Sequence, residues 1–135
     1  MADFRISEAA ALLGVSDDTV RRWGDSGRLR IRKDGAHHTV DGGDLVPLVQ
    51  ELAAESALAG AFPLARASAR NRFTGLVTAV TKDGVMAQVD LQAGPFRVVS
   101  LMSREAADEL GLAPGMLATA SVKATTVVVE IPQEG

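Results

Sequence analysis

Apolar positions in this chain follow two different periods. Over the first fifty or so residues they recur at the three- and four-residue spacing of helices; from about residue 68 they alternate in steps of two. Ser7 is placed to cap a short helix through Ala9, Ala10, Leu12 and Leu13, and Gly14 suits the turn after it. Ser16 is placed to cap a second helix, with Asp17 and Asp18 in its first turn, where the helix dipole favours anions. That helix runs to about Trp23 and stops near Gly27, with Val15, Val20 and Trp23 on one face. Leu29-Arg30-Ile31-Arg32 alternates like a half-buried strand, Asp34-Gly35 makes a hairpin turn and His38-Thr39-Val40 returns. A third helix is expected after Asp44, with Leu45, Leu48, Val49 and Leu52 at helical spacing and Pro47 in its first turn.

Ala53 to Ala67 is alanine-rich, and Gly60 and Pro63 break any helix there. Beyond it, Leu76–Thr81, Val85–Gln92, Phe96–Met102, Met116–Lys123 and Thr126–Ile131 read as five strands, with turns at Lys82-Asp83-Gly84, Ala93-Gly94-Pro95 and Pro114-Gly115. Ser103 caps one short helix that ends at Gly111. The expected architecture is α+β with two domains. A helix-turn-helix with a basic hairpin as its wing occupies 1–55, a linker 56–66, and a five-stranded OB-like β-barrel with one short helix 67–135.

Charge changes this picture only when it is resolved along the chain. The totals are 14 basic and 17 acidic residues, a net of −3, so the chain is not basic throughout. Yet Arg21, Arg22, Arg28, Arg30, Arg32 and Lys33 fall in one short window with a single acid, Asp25. Helix, glycine turn, capped second helix and basic hairpin suit double-stranded DNA. Ser16, Asp17, Thr19, Arg21 and Arg22 lie where a major-groove helix presents side chains to bases. Arg28, Arg30, Arg32, Lys33 and His38 are candidates for phosphate.

Absent residue types narrow the chemistry. With no cysteine there is no disulfide scaffold, thiolate zinc site, iron–sulfur cluster or cysteine nucleophile. Aromatic residues make up 4% and tyrosine is absent, which speaks against base-stacking platforms. His37 and His38 are the only histidines, and as strand neighbours they point to opposite faces, so no metal site is expected. No nucleophile–base pair and no phosphate-cradling glycine loop is visible, so no enzyme and no organic cofactor are expected. The chain opens without a signal segment and has no run of the roughly 20 apolar residues that span a bilayer. The expected setting is cytoplasmic, away from membranes.

A barrel this small has no room for a large buried ligand. Ser68-Ala69-Arg70-Asn71 and Lys123-Ala124-Thr125-Thr126 are rich in donors and free of carboxylates. Such a set suits an oxyanion, whose oxygens only accept.

Two resemblances sharpen the reading. Phe4-Arg5-Ile6-Ser7-Glu8-Ala9-Ala10, Leu13-Gly14-Val15-Ser16, Thr19-Val20-Arg21-Arg22-Trp23 and Gly27-Arg28-Leu29 resemble the DNA-binding module of MerR-type regulators and excisionases over about residues 4–52. Ala36-His37-His38 stands where that family usually has a Gly-His-Arg wing tip. Residues 67–131 resemble the Mop, or molbindin, domain of the TOBE superfamily. The matching motifs are Ser68-Ala69-Arg70-Asn71, Phe73-x-Gly75-x-Val77, Glu109-Leu110-Gly111-Leu112-x-Pro114-Gly115 and Val122-Lys123-Ala124-Thr125-Thr126-Val127. That resemblance implies molybdate or tungstate bound between subunits. Ser68, Ala69, Arg70 and Asn71 would come from one subunit, and Lys123, Ala124 and Thr125 from its neighbour. It implies a homo-oligomer, a dimer or a hexamer. The combination implies a one-component, oxyanion-responsive transcriptional regulator acting on operator DNA. The alternative is a storage or carrier oligomer whose helical head does not regulate transcription.

Overall fold

The computed structural model describes residues 2–133. The chain forms two compact units, Met1–Pro63 and Leu64–Gly135.

The first unit combines helices with a small sheet. Strand β1 (Asp3–Arg5) leads directly into α1 (Ile6–Leu13), which is followed by α2 (Asp17–Ser26), β2 (Arg32–Asp34), β3 (His37–Asp41), α3 (Gly42–Ala54) and α4 (Ala57–Ala61). The sheet order is β1-β3-β2, all antiparallel, with Phe4 opposite Val40 and Lys33 opposite His38. Its core joins Ile6, Ala9, Ala10 and Leu13 of α1, Val20 of α2, Leu29, Val40 of β3, and Leu45 and Leu48 of α3. The second helix is built as its local chemistry dictates. The Ser16 hydroxyl accepts the Thr19 N–H (3.1 Å), and Gly27 ends the helix at a φ of 82°, a left-handed value that suits a residue without Cβ.

Several expectations for this unit are corrected. Ser7 lies inside α1 rather than capping it: Arg5 is the cap position, and the Glu8 carboxylate accepts the Arg5 N–H (2.9 Å). The cause is β1, whose pairing with β3 holds the chain extended up to Arg5. The strand expected at Leu29–Arg32 is displaced to Arg32–Asp34; Leu29 and Ile31 still pack inward but outside the ladder. Helix α3 starts at Gly42, because Asp41 rather than Asp44 caps it, its carboxylate accepting the Gly43 N–H (2.9 Å). Pro47 therefore sits in the second turn and not the first. Finally, the alanine-rich stretch forms the short helix α4 despite Gly60. Alanine's high helix propensity outweighs a single glycine over so short a span.

The second unit is a curled antiparallel sheet of β4 (Asn71–Lys82), β5 (Met86–Ala93), β6 (Phe96–Ser103) and β7 (Leu117–Val122), ordered β6-β5-β4-β7. Strand β4 is long enough to pair with β7 over Asn71–Leu76 and with β5 over Leu76–Lys82, with a register shift between Val77 and Ala79 that bends it. Ala87, Val89, Leu91 and Ala93 alternate onto the buried face of β5. Helix α5 (Arg104–Leu110) is capped by Ser103, whose hydroxyl accepts the Ala106 N–H, and ends at Gly111.

The expected fifth strand, Thr126–Ile131, is absent. A single 3-10 turn at Ala124–Thr126 follows β7, and Val128, Val129 and Ile131 are 82–92% exposed. Among the described residues the sheet has four strands, and its outer strands β6 and β7 do not pair with each other. Its inner face, around Val77, Val89, Leu91, Val98 and Ala118, opens on an apolar furrow of about 600 Å³. Sequence pattern marks Val127–Ile131 as strand-like, but a strand also needs an edge to pair with, and within this chain it reaches none.

Candidate anion site and DNA-facing surface

The Ser68–Asn71 and Lys123–Thr125 stretches meet in the fold. Asn71 opens β4, Val122 closes β7, and the two are partners at the end of their ladder. The Asn71 side-chain amide donates to the Val122 carbonyl (3.2 Å), tying the stretches together and spending that donor on the backbone. Lys123 precedes the 3-10 turn; its carbonyl accepts the Thr126 N–H (3.0 Å) and the Thr126 hydroxyl (2.9 Å). Ser68, Arg70, Lys123, Ala124 and Thr125 are exposed and Ala69 half-buried.

The electrostatics single out this corner. Six basic residues belong to 67–135. Lys82 pairs with Asp108 (2.5 Å), Arg97 with Asp90 (2.6 Å) and Arg104 with Asp108 (3.7 Å). These contacts hold the aspartates' carboxyls below their ordinary range: Asp90 chiefly through Arg97, Asp108 chiefly through Lys82. The guanidinium of Arg72 is taken up by backbone carbonyls. Among the described residues of 67–135, Arg70, Arg72 and Lys123 make no ion pair; with the Arg72 guanidinium held by carbonyls, Arg70 and Lys123 are the two whose charge meets neither an acid nor a carbonyl, one in each stretch. Arg72 was not singled out from the sequence. No sequence signal marks it, because its three partners are backbone carbonyls, which every residue carries.

In the first unit the candidate DNA-contacting residues divide. Ser16, Thr19 and Arg22 form a local chain: the Ser16 and Thr19 hydroxyls are 3.0 Å apart, and Arg22 donates to Thr19 (3.1 Å). Arg21 lies 3.6 Å from Asp18, and Asp17 is exposed. The arginines expected to meet phosphate are internally paired: Arg28 with Glu51 (3.5 Å), Arg30 with Asp44 (3.5 Å) and Arg32 with Asp41 (3.4 Å). Arg28 also lies over the Trp23 ring at 4.5 Å. Arg21, Lys33 and His38 instead line one depression beside α2, and Arg21 and His38 line a second together with Arg5, Ser7 and His37. Arg5 and Ser7 were thus missed as surface candidates; Ser7 was read only as a cap. Among the described residues, no group of three or more His, Cys, Asp or Glu side chains is arranged to hold a metal ion. No described helix is long and apolar enough to cross a membrane.

Comparison with known proteins fits this division. Residues 67–129 match the TOBE domain family and residues 4–52 a helix-turn-helix domain family, neither of them catalytic. The molybdenum-pterin-binding protein MopA of Rhodobacter capsulatus is 41% identical over 50% of this chain, which is 26% of its own length. Molybdenum-pterin-binding protein 3 of Clostridium pasteurianum is 41% identical over 46% of this chain and 93% of its own. Among solved structures, a molybdate binding protein from Sporomusa ovata is 30% identical, with a TM-score of 0.48, covering 50% of this chain and 100% of its own. The chain belongs to the TOBE family of Mop, or molbindin-type, domains and carries an N-terminal helix-turn-helix domain. Its match spans about a quarter of MopA, so what MopA does as a whole protein does not pass directly to this chain.

Proposed function

We propose that the chain is a one-component DNA-binding transcriptional regulator responsive to molybdate or tungstate. The oxyanion binds to Ser68, Ala69, Arg70 and Asn71 of one subunit and Lys123, Ala124 and Thr125 of a neighbour, in a homo-oligomer working in the cytoplasm. The observation that carries this reading is the pair Arg70 and Lys123, exposed cations that make no ion pair among the described residues, one on each of the two carboxylate-free stretches that meet at the Asn71–Val122 end of the β4–β7 ladder. The relatives' names supply the ligand: they are molybdenum-pterin-binding and molybdate-binding proteins. A dianion that only accepts hydrogen bonds suits hydroxyls, amides, a guanidinium and an ammonium with no carboxylate among them. The matched helix-turn-helix domain supplies DNA as partner, with Arg21, Arg22, Ser16, Asp17 and Thr19 on the reading helix. Joining two heads through an oligomer raises their effective concentration on paired half-sites. Molybdate acts as a switch only by binding one arrangement of heads better than another.

The carrier reading keeps the oxyanion site and removes the DNA. The ion pairs of Arg28, Arg30 and Arg32 with Glu51, Asp44 and Asp41 favour it, because they neutralise most of the basic hairpin. Calorimetry with molybdate, tungstate and sulfate, followed by gel-shift titration with and without the bound anion, separates the two. Anion binding with operator-selective, anion-dependent shifts supports the regulator. Anion binding with no genomic fragment competing better than random DNA leaves the carrier.

A further inference from the structure

Arg72 sits one residue past the donor-rich Ser68–Asn71 stretch, yet its side chain faces back along the chain. Its Nε donates to the Ala69 carbonyl (2.9 Å), Nη2 to the Ala67 carbonyl (3.0 Å) and Nη1 to the Ala65 carbonyl. One rigid guanidinium thus collects three carbonyls, two residues apart each time.

Peptide planarity turns that into a statement about the opposite side of the chain. In a trans peptide unit the C=O of one residue and the N–H of the next point in opposite directions. The carbonyls of Ala65, Ala67 and Ala69 face the guanidinium, so the N–H groups of Arg66, Ser68 and Arg70 face away from it. Among the described residues, the Ser68 and Arg70 amides make no hydrogen bond within the chain, and both residues are exposed. The positive charge behind each carbonyl also aligns and polarises that peptide dipole, strengthening its N–H as a donor.

We infer that Arg72 is a positioning residue for oxyanion binding. Without touching the ligand, it presets the Ser68 and Arg70 N–H groups as a pair of outward donors for a tetrahedral dianion. This inference rests on the oxyanion reading of the same corner. It goes beyond it by naming Arg72 as the residue that holds those amides in place.

The test uses the full chain, labelled with nitrogen-15 and titrated with sodium molybdate. The Ser68 and Arg70 amide signals of the wild type should shift on binding. Arg72→Gln, which removes the charge and the three-pronged fork, should bind molybdate at least tenfold more weakly, with those two shifts lost and the β4–β7 amide pattern retained. Arg72→Lys keeps the charge but not the fork and should fall between, at least threefold weaker than wild type. If Arg72→Gln disturbs the β4–β7 pattern, Arg72→Lys carries the test by its own threshold. Affinity within twofold of wild type in a folded variant, or molybdate shifts that spare Ser68 and Arg70, would overturn the role of Arg72 and leave the oxyanion site standing. A wild type that gives neither heat nor shifts with molybdate or tungstate overturns both, and is told apart because the failure precedes any substitution.

Discussion

A methyl group added at Gly75 has nowhere to go. Strand β4 changes partners there: Gly75 lies opposite Ala118 of β7, while its successor Leu76 lies opposite both Leu117 of β7 and Gln92 of β5. At this changeover the backbone of Gln92–Ala93 passes directly over Gly75. A Cβ built on Gly75 would lie 2.1 Å from the Gln92 carbonyl oxygen, 2.8 Å from its carbon and 2.9 Å from the Ala93 Cα. All three are backbone atoms, so no side chain can swing aside; β5 must move away from β4 by nearly 1 Å. Overpacking of this kind costs roughly 1–3 kcal/mol where side chains absorb it, and a backbone obstacle puts Gly75→Ala at the upper end. For a unit of this size, each kcal/mol is worth roughly 4–8 °C in melting temperature, so a fall of about 10–20 °C is expected. The single tryptophan, Trp23, belongs to the first unit and gives an internal control. Its fluorescence should report an unshifted transition, while circular dichroism of the strands shows the second unit melting early. Gly84→Ala is the matched control, since nothing lies within 4 Å of its added methyl. A Gly75→Ala chain that melts within about 2 °C of wild type would show that the sheet yields at this crossing and that the cost has been overestimated.

Three further outcomes are expected. Asp83 accepts the Met86 N–H (2.7 Å) and the Val85 N–H (2.8 Å), which hold its carboxyl below the ordinary value of 3.8. A depressed folded-state value means that its stabilisation is complete above the unfolded value and is lost as pH falls through the lower folded one. The second unit should therefore melt at a constant temperature from pH 7 to 5 and earlier below pH 4; Asp83→Asn should melt earlier at neutral pH and flatten the acid limb, and an unchanged limb would remove Asp83 from the account. Lys123→Ala should weaken molybdate binding about tenfold or more, the worth of one charge-assisted hydrogen bond, without moving the melting curve; retained affinity in calorimetry would mean that backbone amides alone suffice. Releasing Arg28 and Arg30 by Glu51→Gln with Asp44→Asn should steepen the plot of log binding constant against log salt for DNA by about one unit per freed arginine, whereas an unaltered slope would show that these side chains do not face DNA.

Elements set by chemistry within a few residues were legible from the chain alone. Ser16 and Ser103 cap α2 and α5 as read, because the hydroxyl and the amide that it accepts are three residues apart. Elements that depend on distant partners were not. Asp3-Phe4-Arg5 is too short to show alternation, and becomes a strand only because β3 returns beside it. Val127–Ile131 has the composition of a strand but pairs with neither edge of the sheet within this chain. Charge behaves the same way. The basic window from Arg21 to Lys33 looked like one surface, yet Glu51, Asp44 and Asp41 lie far enough along the chain to escape a local count, and near enough in the fold to pair with three of its arginines.

In the second unit the same pairing works in reverse. Its acids take up Lys82, Arg97 and Arg104, and both cations of the donor-rich stretches, Arg70 and Lys123, stay outside those ion pairs. Folding therefore concentrates charge in one unit and disperses it in the other. On the proposed reading, attraction for an oxyanion would fall to Arg70 and Lys123, and attraction for DNA to the Arg21, Lys33 and His38 depression beside α2, which Asp25 also lines, more than to the ion-paired arginines Arg28, Arg30 and Arg32. As a DNA-binding head, a unit with so few uncommitted cations would hold non-specific DNA weakly, because that affinity scales with the number of phosphates neutralised. On the proposed reading, selective binding by such a head would depend on two copies being joined, and an oxyanion bound between subunits would be the element that decides whether DNA is held at all.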